Sequence, residues 1–169
     1  NLDMSAGDSF GIFAYGCTNC VFQNNYIYGL TNSNKVSRFG IYLRDGANYN
    51  KIINNKIVGF EKPNSKFTSV LIGLFGKSEE FGGFFNDGKI TQPTLPCVGN
   101  IISNNKLYYS KVAIDLIACS NTTVLNNYCY KQLTRAIYLA NSTNNSLING
   151  NQCIGFGASA VCMGYGAFN

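Results

Sequence analysis

Apolar positions along this chain recur in fixed phase with asparagine. One unit runs apolar, two further positions, Asn, any residue, apolar. It reads Phe22-Gln23-Asn24-Asn25-Tyr26-Ile27, then Ile52-Ile53-Asn54-Asn55-Lys56-Ile57, then Ile102-Ser103-Asn104-Asn105-Lys106-Leu107. It returns as Val124-Leu125-Asn126-Asn127-Tyr128-Cys129 and as Ile148-Asn149-Gly150-Asn151-Gln152-Cys153. A second unit precedes four of these copies and runs apolar, any, apolar, then Asn. Its members are Ile12, Ala14 and Asn19; Ile41, Leu43 and Asn48; Ile114, Leu116 and Asn121; and Ile137, Leu139 and Asn144. A half-copy, Val161 and Met163, lies near the end.

The alternation within each unit predicts short, half-buried β-strands. Such a unit cannot bury its apolar face alone, so the repeat predicts stacking of one unit on the next. The expected fold is all-β, a single-stranded parallel β-helix or solenoid with stacked asparagine ladders. Asn25, Asn55, Asn105, Asn127 and Asn151 are expected to form one ladder. Asn19, Asn48, Asn121 and Asn144 are expected to form another. Asparagine suits a tight corner because it tolerates left-handed backbone, and its amide can bond to the next amide in the stack. A leucine-rich repeat would need an LxxLxL pattern and a helical side, and the chain has neither.

Two interruptions break the phase. Residues 31–38 read as a polar loop. Residues 61–96 read as an inserted loop region, with a strand expected at Thr68–Leu74 and a Gly-rich stretch after it. Loops on a rigid scaffold commonly carry function, and this one holds Lys77, Glu79, Glu80, Phe81, Phe84, Phe85 and Asp87. Packing is its ordinary alternative. The cysteines fall on the repeat grid. Cys129 and Cys153 share the inward column of Ile27, Ile57 and Leu107; Cys17 and Cys119 are expected to share one with Gly46 and Ser142. They read as reduced core thiols, and no metal site is expected.

Composition narrows the chemistry. The 169 residues carry 13 Lys+Arg against 8 Asp+Glu, a net charge of +5 spread along the chain. With no arginine-rich block, a nucleic-acid partner is not expected, although the balance suits an acidic polysaccharide. The chain has no histidine, which removes His-based acid/base chemistry, Ser-His-Asp triads and His metal sites. No apolar run is long enough to span a bilayer, so no membrane insertion is expected, and no cofactor is implied. Asn1-Leu2-Asp3-Met4 already alternates like a strand, and no cap is visible at either end. One domain, 1–169, cut from a longer chain, is the expectation.

Outward positions define candidate surfaces. On the first strand these are Phe13, Tyr42, Asp115, Tyr138 and Cys162. On the second they are Tyr26, Lys56, Lys106, Tyr128 and Gln152. Aromatic rings beside polar groups suit sugar binding, and strand stability is the plain alternative. Tyr42, Tyr138, Tyr26, Tyr128, Lys56, Lys106 and Arg44 are therefore the candidate substrate-binding residues. Glycoside hydrolysis ordinarily needs two carboxyl groups. Asp115 is the first candidate, because burial against Tyr42 or Tyr138 would raise its pKa toward that of a general acid. Glu80, swinging in from the long loop, and Asp45, about two levels away along the stack, are the others. Arg44 or Lys106 would clamp an acidic sugar or act as a lyase base, while a structural salt bridge for Arg44–Asp45 or Arg135 is the more ordinary reading. The sequons at Asn121, Asn141 and Asn144 follow from composition alone.

The NNxI repeats resemble the right-handed parallel β-helices of the pectate-lyase-like superfamily, most closely the β-helix domains of bacteriophage tailspikes. The resemblance is architectural and covers nearly the whole chain. It implies a homotrimer on the virion that binds, and often cleaves, a bacterial surface polysaccharide as a glycan depolymerase. The calcium-binding aspartate and arginine motif of pectate lyases has no counterpart here, nor does the histidine motif of alginate epimerases. A non-catalytic carbohydrate-binding or structural segment of a phage fibre, or a secreted or cell-surface adhesin, is the alternative.

Overall fold

A three-residue strand buries a single side chain, and that side chain needs neighbours on both sides along a stack. The computed structural model, which describes residues 2–3, 10–28, 38–59, 69–78 and 93–164, supplies them. Every regular element among these residues is a strand. A five-stranded parallel sheet stacks Val21–Gln23, Lys51–Ile53, Ile101–Ser103, Thr123–Leu125 and Leu147–Asn149, with Phe22, Ile52, Ile102, Val124 and Ile148 in one inward column. A ten-stranded sheet holds the rest of the repeat. In it Ile27, Ile57, Leu107, Cys129 and Cys153 are in register, as are Ile12, Ile41, Ile72, Ile114, Ile137 and Val161. The result is all-β, with parallel strands in stacked sheets, and is compatible with a parallel β-helix. Among the described residues no helix is long and apolar enough to cross a membrane.

Two strands link the two units continuously. Lys106–Ile117 pairs by its first residues with Lys56–Val58 and by its last with Ser69–Phe75; Tyr128–Ala140 lies alongside both parts. The strand Ser69–Phe75 falls within the stretch read as an insertion, yet it is a full member of the sheet between Arg38–Arg44 and Lys106–Ile117. Ile72 and Leu74 are therefore a further copy of the apolar-x-apolar unit. After it, Lys77–Ser78 pairs antiparallel with Pro93–Leu95.

The first asparagine ladder is present and fully bonded. At each step the backbone N–H and the side-chain Nδ2 of one asparagine both donate to Oδ1 of the next. From Asn55 to Asn105 these distances are 2.9 and 3.0 Å, and from Asn105 to Asn127 they are 3.0 and 2.9 Å. The other Nδ2 hydrogen donates to a carbonyl one level back, as from Asn105 to Ile52 and from Asn127 to Ile102. Buried amides are retained in a core only when satisfied in this way. The two asparagines of each NN pair divide the work. Asn24, Asn54, Asn104 and Asn126 take the left-handed corner, with φ between 52° and 56°, while their successors point inward.

The second ladder differs from expectation. Thr18 bridges Asn48, and Ser120 bridges Asn144, so Asn19 and Asn121 lie one residue out of line with Asn48 and Asn144. Asn19, Tyr49, Gly99, Asn121 and Asn145 are instead the left-handed corner. The inward residue follows each of them, and there Asn50 donates to Asn100 Oδ1 through its N–H (2.9 Å) and Nδ2 (3.1 Å). The cysteine column moves by the same logic. Cys97 pairs with Cys119, and the levels around them place Ala47 and Thr143 there, not Gly46 and Ser142. All seven cysteines are free.

Candidate functional site

The outer side of the ten-stranded sheet carries the first candidate surface. In register along it lie Phe13, Tyr42, Gly73, Asp115, Tyr138 and Cys162. Beside them Phe39, Val70 and Val112, in register with one another, pack with this outer set, although Ile41, Ile72 and Ile114 remain in the core. The outward set forms its own apolar cluster of Phe39, Tyr42, Val70, Phe75, Val112, Ile117, Ala118 and Ala140, with Phe10 and Tyr138 against it. The rings are closely packed. Tyr42 stacks on Phe39 with centroids 4.2 Å apart and on Phe10 at 5.5 Å, and it meets Phe75 edge-on at 5.0 Å.

Gly73 leaves a notch in this surface. A Cβ there would lie 3.1 Å from Cδ2 of Tyr42 and 3.2 Å from Cδ1 of Phe39. The rings therefore lean over the space a side chain would fill, on the strand directly between Tyr42 and Asp115. The sequence reading treated Tyr42 and Asp115 as parts of an exposed face. They are on the outer side but covered, at 4% and 6% exposure, whereas Phe13 is 50% exposed. Tyr42 thus offers a packed ring, not an open platform.

Asp115 is the most perturbed carboxyl of this surface. Burial pushes its pKa up to about 7, against a smaller opposing pull from Arg135. Arg135 does not pair with it; its guanidinium lies 4.4 Å from the Tyr138 ring centroid. Asp115 Oδ1 is buried without a hydrogen-bond partner, and so are Asp45 Oδ1 and Arg44 Nε. Asp45 occupies a left-handed corner (φ 47°) and is salt-bridged to Arg44 at 3.6 Å. A hydrogen bond to Asp45 is the main cause that raises the Tyr15 phenol. Burial is the main cause that raises Tyr42, and both Asp45 and Asp115 add to it. Tyr42 therefore lies within electrostatic reach of both carboxylates and of Arg44. The structure sets Tyr42, Asp115 and Tyr138 in one column and joins Arg44 to Asp45 and to the Tyr42 ring. Glu80 lies outside the described residues. The sequence reading missed Phe10, Phe39, Gly73 and Phe75, which only the cross-level register reveals.

The second candidate surface lies on the other part of the same sheet. Tyr26, Lys56, Lys106, Tyr128 and Gln152 are in register, and Tyr28, Val58, Tyr108, Tyr130 and Ile154 form the adjoining column. These side chains are exposed or half-exposed. Lys56 Nζ sits 4.9 Å from the Tyr26 ring centroid, and Lys131 Nζ sits 5.5 Å from that of Tyr130. Tyr128 and Tyr130 lie nearly parallel, 6.2 Å apart.

The thiols divide: a hydrogen bond with Cys119 lowers Cys97, and one with Cys129 lowers Cys153. Burial raises Cys119, and it raises Cys17 to about 11. Compared with protein-family models, with curated proteins and with solved structures, the chain matches none.

Proposed function

We propose that this chain is a right-handed parallel β-helix of the pectate-lyase-like kind that recognises and cleaves a bacterial surface polysaccharide, as a tailspike glycan depolymerase does. The homotrimeric state and the place on a virion come into this proposal with the tailspike resemblance. One observation carries the cleavage reading. Asp115 Oδ1, Asp45 Oδ1 and Arg44 Nε, with Gln132 Oε1, are buried polar atoms without partners; Arg44 lies 5.7 Å from the Tyr42 ring centroid and is salt-bridged to Asp45, and Asp115 stands two strands along the column of Tyr42. Native proteins rarely leave such groups unpaired away from functional sites. A carboxyl with a pKa of about 7 is protonated often enough at neutral pH to act as general acid. In the proposed reaction Asp115 donates its proton to the glycosidic oxygen as the bond to the anomeric carbon breaks. A water oxygen bonds to that carbon, and a second carboxylate takes the water proton. Asp45 is the candidate for this base, with Glu80 as its alternative. Arg44, 42% exposed at its side chain and salt-bridged to Asp45, is the candidate to meet a sugar carboxylate.

A second reading has its own support. The near-complete burial of Tyr42 and Asp115 favours a binding or structural module in which the polysaccharide meets other surfaces. Incubation with capsular and O-antigen polysaccharides separates the two, read by product size and new reducing ends. We expect shortening by the wild type and a loss of ~10²–10⁴-fold in Asp115→Asn, the usual contribution of a general acid. Binding without shortening would end the cleavage reading and leave the binding module.

A further inference from the structure

We infer that the face built by Tyr26–Tyr28, Lys56–Val58, Lys106–Tyr108, Tyr128–Tyr130 and Gln152–Ile154 binds an anionic polysaccharide, at a surface separate from Asp115. The inference takes the class of polymer from the polysaccharide reading above; the location and the charge requirement come from this face alone.

Lys56 and Lys106 are direct partners on neighbouring parallel strands, so their side chains leave the sheet about 4.8 Å apart at the base. Like charges set directly opposite are destabilising, and both lysines are exposed. Among the described residues no acid stands in the lysines' own column. The acid nearest in register is Asp3, whose backbone pairs with Tyr28 at the far edge. Lys56 Nζ rests 4.9 Å from the Tyr26 ring centroid, but no carboxylate in their column offsets the two adjacent charges. An anion from outside, bridging both ammonium groups, fits the arrangement that is present.

The flanking residues define the rest of the ligand. Tyr26 and Tyr128 bracket the lysines along the column, and Tyr28, Tyr108 and Tyr130 line the neighbouring one. Half-exposed rings suit the apolar faces of sugar rings, and their hydroxyls suit sugar hydroxyls. A phosphodiester polymer would need a continuous cationic track. Here two stacked lysines and Lys131 at the corner are the charges of the face, which favours a glycan with spaced carboxylates or sulfates.

Affinity electrophoresis of the whole chain tests this, with hyaluronate and heparin as anionic glycans, dextran as the neutral glycan and oligo-dT as the nucleic acid. The variant is Lys56→Gln with Lys106→Gln, which keeps two exposed stems and removes only charge. We expect retardation by an anionic glycan and not by dextran, and about tenfold weaker binding in the double variant, as for two exposed charge contacts. Retardation should also be lost at 1 M salt, where screening acts within ~3 Å. The thermal midpoint of the double variant should be unchanged or higher, because a like-charge pair has been removed. Equal retardation by dextran, wild-type affinity in the double variant, or preference for oligo-dT each overturns the inference. Asp115→Asn separates it from the cleavage reading. An anionic glycan bound but never shortened leaves the face standing and ends cleavage. A neutral polysaccharide cut by a chain that binds no anionic glycan does the reverse.

Discussion

Asp115 shows how one residue can be costly to the fold and still suit chemistry. Its carboxyl is buried, one oxygen is unpartnered, and its pKa rises from an unfolded value near 3.8 to about 7. A raised carboxyl pKa means that the folded state binds the proton more tightly than the unfolded state. Folding therefore bears no penalty from this group below pH ~4, where it is protonated in both states. The penalty grows between pH ~4 and 7 and is complete above about 7. Three units at 1.36 kcal/mol each put it on the order of 4 kcal/mol. Asp115→Asn keeps the shape without the charge. We expect it to raise stability by roughly 2–4 kcal/mol at pH 8 and by almost nothing at pH 4. Urea midpoints of both proteins at the two pH values check this. An equal effect at both pH values would mean that Asn acts through packing and that Asp115 is not desolvated.

The corners are where element-level physics is most visible, because each holds its backbone left-handed. At one corner the occupants along the stack are Asn19, Tyr49, Gly99, Asn121 and Asn145. Tyrosine is the misfit, since a left-handed φ costs a residue with a bulky Cβ substituent about 1 kcal/mol that Asn and Gly largely avoid. Tyr49 is 58% exposed, and its ring leans over Gly99, where a Cβ would be only 2.6 Å away. Tyr49→Asn should therefore stabilise the protein by about 1 kcal/mol, seen as a higher urea midpoint with an unchanged slope. A lower midpoint would show that the ring's contact with Gly99 outweighs the strain. This corner also explains which elements were legible in the sequence. The NN ladder was readable because one residue type fills the inward position at Asn25, Asn55, Asn105, Asn127 and Asn151. The next ladder was not, because its inward position holds Cys20, Asn50, Asn100, Thr122 and Ser146, and a one-residue shift matched Asn48 and Asn144 instead. Ile72 and Leu74 escaped the repeat because a long stretch separates them from Cys97. Without that strand, Gly73 and Phe75 could not be set beside Tyr42 and Asp115, so Asp115 was legible as an acid against Tyr42 or Tyr138, but the Phe10, Phe39 and Phe75 rings around Tyr42 were not.

At the scale of the molecule, stability should follow position in the stack. Each level contacts only the levels next to it, so the free energy is close to a sum of level and interface contributions. The inward residues of the middle levels, Ile52, Ile102 and Val124, are fully buried. At one edge of the described stack the inward column thins. Ile148 and Cys153 are only partly buried, and Val161 and Met163 are 46% and 49% exposed. At the other edge Ile12, Ala14, Cys17 and Phe22 are likewise only partly covered. Half-covered apolar side chains contribute less than the ~1.5–3 kcal/mol of a fully buried one, so the edge levels should open without the centre. The two long strands oppose this, since Lys106–Ile117 and Tyr128–Ala140 pair along most of their length, with one shift of register between Ser110 and Val112. We therefore expect opening to stop where that pairing begins. Native-state hydrogen exchange should show Ile101–Ser103 and the middle of Lys106–Ile117 exchanging ~10²-fold or more slowly than Leu147–Asn149 and Ser159–Met163. Protection at a single free energy throughout would mean that the asparagine ladders couple all levels into one cooperative unit, and that the nearest-neighbour description fails for this chain.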